Sequence, residues 1–112
     1  MAAFQIALPK LAAEGISVVS ASADAQADAE REAAELKITF PLGYGLDVEQ
    51  AAAAVGAFRG EAPPPRGKFL HATGFVLNAQ HHVVNAVYST GAYGRLGWQE
   101  VLGLVQYLKK AR

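Results

Sequence analysis

No cysteine occurs anywhere in the 112 residues, so disulfides, thiolate metal ligands and thiol nucleophiles are excluded together. Methionine and tryptophan occur once each. No apolar run approaches the roughly 18 residues needed to span a bilayer. Residues 1–8 have neither a basic start nor a long apolar stretch, so no secretory signal is visible. The expected location is cytoplasmic. Formal net charge is zero, which argues against a nucleic-acid binder held by phosphate contacts. The charge present is unevenly placed. Residues 1–50 carry eight acids and three bases, residues 51–112 two acids and seven bases. Such asymmetry can steer two chains together, but it reads first as solvated helix faces in the acidic half.

What is there suits one domain with one core: the length is sufficient and 52% of the residues are apolar. The clearest unit is the last third. Apolar runs at 74–77 and 83–88 flank a polar stretch at 78–82, which predicts two antiparallel strands and a turn. A glycine-punctuated bend follows at 89–94. From Trp98 onward apolar residues fall at 98, 101, 102, 105 and 108, which is helical spacing.

Earlier, Phe4, Leu8 and Leu11 are helically spaced and Gly15 is a natural stop. Pro9 is awkward there, because it removes a helix hydrogen bond. Residues 16–20, ISVVS, form a continuous β-type run of the kind that suits a buried parallel strand. Asp24 is placed to cap a helix over 25–36, whose apolar face is 29, 33 and 36. Phe40, Pro41 and Leu42 lead into a glycine-rich loop at 43–45. Asp47 with Gln50 resembles a capping box, and Val48, Ala51, Ala52, Val55 and Phe58 share one helical face. Residues 59–68 hold three consecutive prolines and read as a polar connecting loop, in preference to a recognition segment, with no room for a helix or central strand. The order helix, strand, helix, short helix, hairpin, helix is an α/β arrangement.

The chemistry-bearing residues are sparse. His71, His81 and His82 are the histidines. Adjacent histidines in an extended stretch point to opposite faces and make a poor metal pair. No nucleophile-elbow pattern marks Ser17, Ser20, Ser22 or Ser89. The glycines at 91 and 94 precede a helix and can offer N–H groups to an anion, although the bend also has a purely structural reading. Glu30, Glu32 and Glu35 lie on one alanine-rich helix and read as its solvated face. Trp98, Tyr107 and Leu108 read as core. No residue is assigned as catalytic, cofactor-binding or metal-ligating, and no cofactor is expected.

Four landmarks in order bear on ancestry. They are GISVVSASAD at 15–24, FPL at 40–42, ATGFVLN at 72–78 and YSTGAYGRL at 88–96. Together they resemble the peroxiredoxin-like (redoxin) proteins of the alkyl hydroperoxide reductase and thiol-specific antioxidant group. The resemblance implies a thioredoxin-like, three-layer α/β/α fold truncated at its N-terminus, as a single domain over 1–112. It implies thiol-dependent reduction of hydroperoxides as the family activity. The family's peroxide-attacking cysteine is absent here, and the chain starts near the middle of the helix that would carry it. The arginine expected before the Thr–Phe strand is also absent, because His71 and Ala72 occupy that neighbourhood. Asp24, Phe40, Pro41, His71, Thr73 and Arg95 match family-motif positions as structural or pocket-lining residues.

The expected activity is therefore lost. The alternatives are a module that pairs with itself or a full-length relative, and a non-thiol enzyme using His71 or Arg95. Arg95 is expected to tie the bend to the body of the fold, so that Arg95→Ala costs about 1–3 kcal/mol. In the implied fold a central strand would lie between 16–20 and 74–77. Its absence would leave two bare edges, which favours a homodimer or domain-swapped pair. Neither nucleic acid nor a membrane is an expected partner.

Overall fold

The computed structural model describes residues 1–91 and 94–111. In chain order the elements are α1 (Ala2–Ala13), β1 (Ser20–Ala21), α2 (Gln26–Leu36), β2 (Leu42–Gly43), α3 (Val48–Val55), β3 (Arg59–Ala62), β4 (Gly67–Leu70), β5 (Thr73–Leu77), β6 (Val83–Tyr88) and α4 (Trp98–Lys110). This is a mixed α/β chain: four helices, one parallel two-stranded sheet and two antiparallel hairpins. It divides into two units, Met1–Gly45 with Gly97–Arg112, and Leu46–Leu96.

In the first unit, α1 turns Ala7 and Leu11 inward, and Leu11 is fully buried. Pro9 is accommodated inside this helix on its exposed side. The predicted stop holds: Gly15 takes φ +76°, open to glycine at little cost, and Ile16 N–H donates to the Leu11 carbonyl at 3.0 Å. Among the described residues Leu11 is the fully buried large side chain, and it lies in the last turn of its helix.

The run at 16–20 departs from expectation. Only Ser20 and Ala21 form ladder, parallel to Leu42 and Gly43, and Val19 is 75% exposed. A continuous apolar run stays buried only when both faces are covered. Here burial alternates instead, with Val18 half-buried and Val19 outward. The FPL segment supplies the partner: Ser20 N–H donates to the Pro41 carbonyl at 3.0 Å and Ser22 N–H to that of Gly43 at 3.1 Å.

The Asp24 cap is also corrected. The N-cap of α2 is Ala25, with no side-chain cap bond. Asp24 is used in the preceding loop, where its N–H meets Ser22 Oγ at 3.3 Å and its carbonyl accepts from Gly45 N–H at 2.8 Å. Ala29 is buried on the predicted face of α2, with Ala33 and Leu36 half-buried. In α4, Val101 is buried, whereas Tyr107 is 68% exposed and Leu108 is also outward. The inward face covers the first two turns; the last turn meets solvent, so these two residues are not core.

In the second unit, Asp47 Oδ1 accepts from Gln50 N–H at 2.9 Å, making one half of the anticipated capping box. The helix ends at Gly56 in the left-handed region. Phe58 therefore lies beyond the helix, 48% exposed, and does not extend its apolar face. Residues 59–68 are not a plain loop. They hold β3 and the start of β4, paired from Arg59↔Leu70 to Ala62↔Gly67. The prolines occupy only the connecting turn, where no ladder N–H is needed. Phe69 lies over Gly60 so closely that a Cβ there would collide with the ring. The Arg66 guanidinium sits 4.0 Å from the centre of the same ring.

The hairpin of β5 and β6 is as anticipated. Thr73 faces Tyr88, Gly74 faces Val87, Phe75 faces Ala86 and Val76 faces Asn85. A register shift then pairs Leu77 with Val83, leaving Val84 as an extra residue. In the turn, Asn78 Oδ1 accepts from the N–H groups of Gln80 and His82, both at 3.0 Å, and His81 takes φ +65°.

Candidate functional site in the strand and bend of the second unit

The ATGF strand and the glycine–arginine bend converge in the second unit. Ser89 N–H donates to the Ala72 carbonyl at 2.9 Å, continuing the hairpin ladder past Tyr88. Leu96 lies on Gly74: a Cβ at that glycine would stand 2.8 Å from the Leu96 Cβ and Cδ2. The strand can therefore take only glycine there without displacement. Ala92 and Tyr93 of the bend lie outside the described residues.

Ser89 is the buried polar side chain of this region, 6% exposed. Its Oγ donates to the Gly91 carbonyl at 2.7 Å and accepts from Gly91 N–H at 3.2 Å. That hydroxyl fastens the bend upon itself. A Cβ on Gly94 would stand 2.7 Å from the same oxygen. The Gly91 N–H is thus already engaged, which removes it from the anion cradle the glycine spacing suggested. Among the described residues the Ser89 hydroxyl donates to the Gly91 carbonyl and not to a side chain, so none of them activates it as a nucleophile. The Ser-Thr-Gly order is a turn signal, but burial of its serine was not visible without the fold.

The family-motif residues divide between units. His71 and Thr73 flank Ala72 in the second: Thr73 Oγ1 donates to the His71 carbonyl at 3.2 Å. His71 N–H donates to the Phe58 carbonyl at 2.9 Å, and its ring meets Phe69 edge-on with centroids 5.2 Å apart. His71 is half-buried among these contacts. Arg95 is exposed, and its Nη1 donates to the Gly94 carbonyl at 3.1 Å. The bond stays within the bend. Asp24, Phe40 and Pro41 belong to the first unit, where Phe40 is 8% exposed and Pro41 serves β1 through its carbonyl.

Tyr88, at the end of β6, reaches a second element. Its hydroxyl donates to the Val55 carbonyl at 2.8 Å, occupying one of the carbonyls that a helix C-terminus leaves free. Its ring packs edge-on against Phe75, 5.7 Å away. Glu49 of α3 takes Arg59 of β3 and, at 3.2 Å, Lys68 of β4. The Lys68 hydrogen bond, with the Arg59 charge beside it, holds the Glu49 carboxyl below the usual carboxylate range. In the first unit Lys109 Nζ reaches both the Glu14 carbonyl at 2.8 Å and its Oε2 at 2.9 Å. The hydrogen bond from Lys109, then its charge, likewise lowers the Glu14 carboxyl. Carboxyls lowered in this way are fixed anions, unlike an acid–base catalyst poised near neutral pH.

Among the described residues no three His, Asp or Glu side chains come together as a metal site. None of the helices is long and apolar enough to cross a membrane. Among the described residues the first unit carries shallow surface depressions. One, about 430 Å³, runs along α1 between Ile6, Pro9 and Thr39; another lies beside Glu14 and Lys109. The first is lined mainly by apolar side chains, while the second is lined by Glu14, Gln106, Lys109 and Lys110, where Lys109 and Glu14 bond each other. Comparison with protein-family models and with curated proteins finds no match to this chain.

Proposed function

We propose that the chain is a redoxin-like protein of thioredoxin-like, three-layer architecture that has no hydroperoxide-reducing activity and works by association with another chain. The observation that carries this reading is the joining of the ATGF strand to the glycine–arginine bend. Two landmarks on the two arms of one hairpin meet through the Ser89–Ala72 bond and the Leu96–Gly74 contact. Thr73 and Arg95 then act as scaffold positions and not as a peroxide pocket.

The loss of activity follows from chemistry. Reducing a peroxide by the family's route transfers an oxygen atom to a thiolate, and these 112 residues hold no cysteine. Met1 is the remaining sulfur, at a chain end. No metal or cofactor enters the reading. Intact-mass spectrometry after treatment with excess hydrogen peroxide tests it. The expected product carries at most one added oxygen, located at Met1, formed at the rate of a free methionine. Rapid oxidation at any other residue would show a reactive centre and overturn the proposal.

A further inference from the structure

The run at 16–20, ISVVS, has the composition of a strand, yet only its last residue enters a ladder. Pro41 gives the reason. Ser20 N–H donates to the Pro41 carbonyl, and Ser20 stands opposite Leu42. One step upstream, the Val18 carbonyl would need the N–H of residue 41, and proline has none. The residues left outside the ladder still alternate as an extended chain does. Ile16, Val18 and Ser20 are half-buried, while Ser17, Val19 and Ala21 are exposed.

The ladder fixes which backbone groups are free. The N–H groups of Ser20 and Ser22 reach the Pro41 and Gly43 carbonyls, so these two residues face β2. Successive residues of a strand face opposite sides. Ser17, Val19 and Ala21 therefore turn their N–H and C=O groups away from β2. Among the described residues this sheet has no third strand, and neither Ser17 nor Val19 makes a backbone hydrogen bond. The edge is open to water, because Val19 is 75% exposed. It is also unguarded: residues 15–23 hold no charge and no proline, the features that normally blunt an edge.

We infer that this edge pairs with the same edge of a second copy, antiparallel, about a two-fold axis at Val19. A two-fold axis normal to the sheet keeps each side chain on its own face, so only registers that pair residues of equal parity are allowed. Val19 is the middle one of the three outward-facing residues. Centring there sets Val19 against Val19 and Ser17 against Ala21, each a pair that exchanges both of its hydrogen bonds. Val18 then lies opposite Ser20, and within 17–21 no charge meets a like charge. A second copy is the fitting occupant because the free groups are symmetric about one residue, which makes the edge its own complement. Two short parallel pairs become one four-stranded sheet, and each exposed Val19 covers the other. The pairing rests on the association half of the reading above and deepens it, without depending on the redoxin resemblance.

The absence of cysteine makes the test direct. Light scattering after size exclusion at micromolar concentration should give twice the 11.8 kDa chain mass. Val19→Lys sets two lysines face to face and should halve that mass. Far-ultraviolet circular dichroism should stay unchanged, since Val19 buries little in its own chain. Val19→Cys should form a covalent dimer under mild oxidation, because hydrogen-bonded pairs hold Cα atoms about 5.5 Å apart, within disulfide reach. Ile6→Cys, on α1 and 83% exposed, should remain uncrosslinked. If Val19→Lys fails to fold, the two cysteine variants decide alone. A native chain of single mass would overturn both the pairing and the association reading. A doubled mass that persists in Val19→Lys, or Val19→Cys crosslinking no faster than Ile6→Cys, would overturn the pairing and leave association standing.

Discussion

Gly74 and Arg95 differ in what surrounds them, and the difference reverses the importance that sequence motifs assign. Arg95 is the conspicuous residue of its bend, yet it is exposed and bonds the adjoining Gly94 carbonyl. Gly74 has no side chain, but its missing Cβ is the space that Leu96 fills. Gly74→Ala should therefore destabilise by about 1–3 kcal/mol, the range for overpacking. Arg95→Ala should stay within about 0.5 kcal/mol, as for other surface changes. Urea melts of both variants check the contrast; a larger loss for Arg95→Ala would mean that its guanidinium anchors more than its own bend. Arg95 was expected to bond carbonyls of the loop, and the fold shows which one: that of the adjoining Gly94. Ser89 was passed over because its burial comes from the bend closing over it.

At the scale of elements, legibility followed the strength of the hydrophobic period. The hairpin of β5 and β6 and the final helix were plain in the spacing of Val, Phe, Leu and Trp. The hairpin of β3 and β4 was not, because its first strand reads Arg-Gly-Glu-Ala and its prolines look like breakers. They sit where breaking is harmless, while a glycine under Phe69 and the Glu49 ion pairs hold the strands. The two-residue strands β1 and β2 are too short for any period to announce. Ion pairing also joins α4 to α1 through Lys109 and Glu14. Lys109 lowers the Glu14 carboxyl in the folded chain. Its stabilisation is thus complete above the unfolded value, near pH 4.3, and is lost as pH falls through the lower folded value. Lys109→Met should lower the melting temperature at neutral pH, and the gap should narrow in acid as the carboxylate is protonated. The part due to the Glu14 carbonyl bond persists. A gap independent of pH would show that the carboxylate contributes nothing.

For the whole molecule, a mixed α/β chain with a parallel pair, hairpins and flanking helices was legible from the order of its elements. The exposure of Val19 was not, because ISVVS carries the composition of a buried strand whether or not anything covers its second face. Chemistry was legible chiefly as an exclusion: with no thiol, the one reaction that the landmarks suggest has no acceptor atom. The central claim, a redoxin-like frame without redoxin chemistry, meets its most direct test in steady-state turnover. The purified chain, mixed with hydrogen peroxide, thioredoxin, thioredoxin reductase and NADPH, should oxidise NADPH no faster than the same mixture without it. Saturable consumption that scales with the amount of chain would contradict the account.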